Sequence, residues 1–151
     1  MSYTWTISTL TELSATRLLE ILRLRSEVFV VEQQCIYIDP DEFDEQALHL
    51  YATDADKVVA YARILKPSTR FIEPSIGRVL TASSHRRTGL GKELMSRAVQ
   101  ECCNRFEHTV IRISAQCYLQ KFYTDLGFII DSEEYDEDGI PHVEMVWRRM
   151  A

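Results

Sequence analysis

Apolar residues in the first third of the chain recur at helical spacing. Leu18, Ile21, Leu22, Val28 and Phe29 fall on one side, while Arg17, Glu20, Arg23 and Glu27 fall mostly on the other. This predicts a helix from an N-cap at Ser14 to about Val31. Before it, Trp5 and Ile7 suggest a short strand. After it, the period changes to two. His49 to Thr53 alternates, Ala55 to Lys57 makes a turn, and Val58 to Leu65 returns. That turn lacks the usual Asn-Gly or Asp-Gly signal of a hairpin. Ile76, Val79, Leu80 and Thr81 open another strand, and Leu90, Leu94, Met95, Ala98 and Val99 form the inner face of a helix over about Gly89 to Arg105. Val110 to Ser114 alternates around Arg112. Gln116 to Leu126 reads as a short helix stopped by Gly127. Phe128 to Ile130 begins a strand, Glu137 to Gly139 turns, and Pro141 to Trp147 is the last strand. The class is mixed α/β around one sheet, in a single domain spanning 1–151.

Two segments fit neither period. Gln33 to Gln46 is a long loop stiffened at Pro40, of the kind that often serves function; Lys66 to Pro74 is a second loop. Glu32-Gln33-Gln34 follow directly on the apolar run Val28 to Val31. They are either polar groups forced into a pocket or a plain helix exit.

Composition narrows the partners. A net charge of −6 over 151 residues argues against nucleic acid as a general partner. The acid gathers at Asp39 to Glu45 and at Asp131 to Asp138, as solvated loops or as a rim that draws in a cation. No apolar run has the ~20 residues of a membrane helix, and MSYTWTIST does not resemble a secretory signal. The four cysteines show no Cys-x-x-Cys, so neither a zinc site nor a redox dithiol is indicated, and reduced thiols in a cytoplasmic protein are the simplest account.

The densest chemistry is Arg86-Arg87-Thr88-Gly89-Leu90-Gly91-Lys92, between a strand and a helix. Its glycines let a ligand approach the backbone. The unpartnered N–H groups of the first helical turn, with the helix dipole and three basic side chains, suit an anion such as a pyrophosphate. A Walker A loop needs glycine where Arg86 stands and Ser or Thr where Glu93 stands; a dinucleotide fingerprint needs a third glycine at Leu94.

Arg86-x-x-Gly89-x-Gly91 resembles the acetyl-CoA pyrophosphate motif of the GNAT superfamily of N-acetyltransferases. Phe122-Tyr123-x-x-x-Gly127-Phe128 is similar to that superfamily's second signature. The segments Arg23 to Cys35 and Glu137 to Met145 resemble its ElaA-like branch. The resemblance implies a mostly antiparallel, splayed sheet of six to seven strands flanked by helices. It also implies direct transfer of an acetyl group from acetyl-CoA to a primary amine, with no metal.

By that resemblance the main chain of Val79, Leu80 and Thr81 would pair with pantetheine. A backbone N–H near Leu80 would polarise the thioester carbonyl. Arg86 to Lys92 would hold the pyrophosphate. Gln116 stands where many members have an Asn that contacts the cofactor. Tyr123 matches the general acid that protonates the CoA thiolate; as a plain residue it is a core aromatic beside Phe122. No residue is fixed across the superfamily to take the proton of the ammonium. Glu32 is preferred here, for ammonium recognition or as the base, and Gln33, His49, His142 and Glu144 are further pocket candidates. A rival on the same fold is a non-catalytic acyl-CoA-binding regulatory or interaction protein. Homodimers are common in the superfamily, and the sequence leaves that state open.

Overall fold

Thr4–Thr9 (β1), Leu48–Asp54 (β2), Lys57–Leu65 (β3), Ser75–Thr81 (β4) and Val110–Gln116 (β5) build most of one sheet; β3 is buried along all but its first residue, whereas β5 alternates between buried and half-buried positions. The computed structural model describes residues 2–150. Ile129–Ile130 (β6), Tyr135–Glu137 (β7) and Ile140–Arg148 (β8) complete the sheet. The order is β1-β2-β3-β4-β5-β8-β6, with β7 also paired to β8. The register is antiparallel throughout except between β4 and β5. The sheet has eight strands among the described residues, where the sequence suggested six or seven. The addition is β7, whose Tyr135-Asp136-Glu137 is too short and acidic to signal a strand. It forms because Asp138 and Gly139, with φ +54 and +80, make a tight turn back into β8. Ala55 and Asp56 make the same kind of turn between β2 and β3, with φ +49 and +65, without a glycine.

Among the described residues three α-helices pack on the sheet: Ala15–Arg25 (α1), Leu90–Arg105 (α2) and Gln120–Asp125 (α3). Ser14 caps α1 as expected, accepting from the Arg17 N–H. The α2 face buries Leu94, Met95 and Ala98 against Ile76, Ile111 and Ile113. The α1 face buries Ile21, Val28 and Phe29 against Tyr51, Tyr61 and Leu80. The first helix does reach the expected end, but Ser26–Glu32 is a π-helix rather than a continuation of α1. The wider turn carries Phe29, Glu32 and Gln33 to the wall of a cavity, the setting in which π-turns are usually found.

Two irregularities open the sheet. Tyr61 pairs with Leu80 and Arg63 with Gly77, so β4 carries one extra residue there, a bulge that bends the strand. Arg78, at φ +50, takes up the strain. On its other edge β4 is in register with β5 at Ser75–Arg112, where the Arg112 N–H also donates to the Pro74 carbonyl. Beyond that point the strands diverge into a V.

The loop before β2 corrects the sequence reading of its acid. Asp39, Asp41 and Asp44 are neither solvated nor a rim. Arg25, fully buried, binds Asp39 and Asp44 at 2.7 Å each; Arg63 binds Asp41 at 2.6 Å, and Arg78 binds Asp39 at 2.8 Å. Burial alone would raise the Asp44 carboxyl. Arg25, the Asp41 N–H and Arg63 outweigh it and hold that carboxyl far below the ordinary range. These pairs strap the loop to α1, β3 and β4.

Candidate active site

The V between β4 and β5 is the head of a cavity of about 500 Å³. Val79, Leu80 and Thr81 line one side, Ser114 and Gln116 the other. Because β5 has diverged, the outward N–H and C=O groups of β4 are left for an extended ligand, as at any free strand edge.

At one end of the V stands the start of α2. Gly89 is its N-cap at φ +86 and no side chain caps it, so its first N–H groups are free for an anion. Arg86 and Gly91 line the cavity there. Arg87, Thr88 and Lys92 are exposed on the loop around it. The Thr88 hydroxyl donates to the His85 carbonyl at 2.7 Å and fixes the loop. The Leu90 side chain is buried in the core, so only its main chain faces the anion position. A Cβ at Gly91 would meet Phe122 and Thr81 at 3.6–3.8 Å. That is ordinary contact, so packing within the chain does not demand a glycine; space for a ligand does.

Tyr123, on α3, lines the cavity. It packs edge-on to Phe122 and Phe128, with ring centroids 5.1 and 5.9 Å away. Burial, with a smaller contribution from Tyr118, raises its phenol well above its ordinary value. The hydroxyl therefore keeps its proton at neutral pH.

The opposite wall comes from three segments. Glu32 and Gln33 lie at the end of the π-helix, Cys35 and Tyr37 on the strapped loop, and Glu137, Asp138, Ile140 and His142 on the β7–β8 hairpin. Gln33 and Gln116 exchange amide hydrogen bonds at 3.2 Å, and Gln33 also donates to the Tyr118 hydroxyl. The sequence candidates thus part company. Glu32, Gln33, Gln116, Tyr123 and His142 share the cavity. Glu32 is engaged by Arg86 at 2.9 Å, at the anion end. Two candidates lie elsewhere. His49 is buried beneath the strapped loop, with Nδ1 2.6 Å from the Tyr61 hydroxyl and Nε2 3.1 Å from the Asp44 carbonyl. Glu144 shares a sheet face with His142 but is bound to Arg112 at 2.9 Å, beside Glu73 and Asp131. It fills the base of the V rather than the cavity.

The sequence reading did not single out Arg70, Tyr37, Arg78 or Glu137. Arg70 donates to Glu137 at 2.6 Å across the mouth. Its only sequence signal is a basic residue in a proline-bounded loop; Glu137 was hidden in an acidic run.

The splayed strand, the uncapped helix start and the buried tyrosine between them belong to one class of protein. The chain is a member of the GNAT acyltransferase family, the Acetyltransferase (GNAT) domain matching residues 20–149. Among its relatives, protein ElaA of Escherichia coli is 41% identical over 136 residues, which are 89% of each chain. UPF0039 protein sll0451 of Synechocystis is 40% identical over 149 residues, 98% of this chain and 97% of that one. An acyl-CoA N-acyltransferase from Pseudomonas aeruginosa superposes with a TM-score of 0.91 at 39% identity, covering 97% of this chain and 99% of that one.

Proposed function

We propose that this protein is an acetyl-CoA-dependent N-acetyltransferase that passes the acetyl group directly to a primary amine of a small molecule or peptide. One observation carries the reading: the free edge of β4 runs from the uncapped start of α2 past Tyr123 into a walled cavity. In this reading pantetheine pairs with the main chain of Val79, Leu80 and Thr81. The pyrophosphate sits on the amides of Arg87 to Lys92 with Arg86 beside it, and Gln116 steadies the cofactor. A main-chain N–H on the free edge of β4, beside Leu80, polarises the thioester carbonyl. The amine attacks that carbonyl, the C–S bond breaks, and Tyr123 gives its proton to the sulfur. The name of the Pseudomonas relative, an acyl-CoA N-acyltransferase, agrees with this reaction. In the same reading Gln33 and His142, which line the cavity, face the acceptor, and Glu32, paired with Arg86, holds that side chain toward the cofactor. The four cysteines are free, which suits a reducing compartment such as the cytoplasm.

The test is a panel of amines and polyamines incubated with acetyl-CoA and the purified protein, following free CoA. The expected result is amine-dependent release. Tight acetyl-CoA binding with no release for any amine would instead support a non-catalytic acyl-CoA-binding protein.

A further inference from the structure

One wall of the cavity sets an imidazole nitrogen and a carboxylate oxygen side by side. His142 is 6% exposed and lines the cavity. Its Nδ1 lies 2.7 Å from the Ile140 carbonyl oxygen. A carbonyl only accepts, so Nδ1 carries the hydrogen and, in the neutral ring, Nε2 presents its lone pair. That lone pair is 3.3 Å from Glu137 Oε2. The other oxygen of Glu137 is held by Arg70 at 2.6 Å. The imidazole is stacked on Tyr135, whose hydroxyl is hydrogen-bonded to Ser114. With the ring neutral and the carboxylate ionised, neither Nε2 nor Oε2 donates to the other. The donor that satisfies both is a cation bearing N–H groups, arriving from the cavity.

We propose that His142 Nε2 and Glu137 Oε2 form the seat of the acceptor's ammonium group, and that Nε2 is the base that takes its proton. This rests on the acetyl-transfer reading above and adds the acceptor half of it. The ammonium donates one N–H to each atom. One N–H bond then breaks, its electron pair stays on nitrogen, and the proton moves to Nε2, where Glu137 stabilises the imidazolium. The free amine forms the C–N bond and the C–S bond breaks. Tyr123 protonates the sulfur and recovers a proton from the amide nitrogen. His142 returns its proton to solvent. Arg70 is a positioning residue, since it fixes the rotamer of Glu137. Glu32, by contrast, faces Arg86 with both carboxylate oxygens. The charged and titratable groups around the ring are Glu137 and Tyr135 from β7, Asp138 from the turn and Arg70 from the loop before β4. Cys35, whose thiol donates to the Asp138 carbonyl, and Glu144 on the same strand complete the set.

His142→Asn tests the assignment, because its amide can still donate to the Ile140 carbonyl while Nε2 is gone. With the best amine of the panel, kcat/KM at pH 7 is expected to fall about 10²- to 10⁴-fold. The gap should close as pH rises toward the ~10.4 of an alkylammonium. The acidic limb set by the imidazole should give way to one that climbs to the amine's own pKa, and the acetyl-CoA Kd should stay within about twofold. Glu137→Gln, which leaves the imidazole in place, should move that limb to lower pH; it decides the matter if the His142 variant fails to fold. An unchanged rate and limb in either folded variant overturns the proposal alone. A wild type that binds acetyl-CoA but acetylates no amine overturns the transfer reading itself, and this assignment with it.

Discussion

Tyr123 shows how far one residue's environment decides its chemistry. It is enclosed by Phe122 and Phe128, and burial keeps its phenol protonated. Such a group is of little use as a base and well suited to giving a proton to a departing thiolate in a dry site. Tyr123→Phe removes that proton and little else. Turnover should fall about 10²-fold or more, while acetyl-CoA affinity and the thermal midpoint stay near wild type; stopped-flow CoA release and calorimetry check this. The position was legible because Phe122-Tyr123 and Gly127-Phe128 form a spaced signature. His49 was not legible. It stands at the start of a strand, yet the register of β2 turns it under the strapped loop onto Tyr61.

At the scale of elements, the site is made where regular structure is broken. The bulge at Arg78, the single register position between β4 and β5, the π-turn at the end of α1 and the positive φ of Gly89 each turn backbone toward the cavity. Periodicity located the strands and helices around these breaks but carries no signal for the breaks themselves. An extra residue in β4 preserves the apolar pattern on either side, and a π-turn begins with the same residues as an α-turn. Gly91 allows a direct test at this scale. Gly91→Ala meets only ordinary contacts, and alanine favours a helix over glycine by about 0.5–1 kcal/mol. The thermal midpoint should hold or rise, while acetyl-CoA affinity falls at least about tenfold, or ~1.4 kcal/mol. An unchanged affinity would make Gly91 a structural glycine.

For the whole molecule, the buried charge network is the feature composition concealed. A net charge of −6 and an acidic run before β2 suggested solvated loops or a rim that draws in a cation. Arg25, Arg63 and Arg78 lie far apart in sequence and neutralise that run only after folding. The consequence is acid sensitivity. In the folded state burial lowers the His49 pKa, and the neutral ring suits its contacts, with Nε2–H donating to the Asp44 carbonyl. The unfolded chain therefore binds the proton first, and stability falls as pH drops below ~6.5. Asp44, also depressed in the folded state, adds a second loss as pH falls below ~3.9. Urea unfolding from pH 7 to 5 should show the first loss, and His49→Gln, which keeps the donor toward Asp44, should flatten it. An equal slope in both proteins would remove His49 from this role.

Everything proposed for the reaction depends on the donor lying in the V between β4 and β5. The most direct measurement is a crystal structure of the protein with CoA bound. It should show pantetheine along Val79 to Thr81, the pyrophosphate on the amides that begin α2, and the sulfur beside the Tyr123 hydroxyl. CoA held anywhere else, with that cleft empty, would contradict the account.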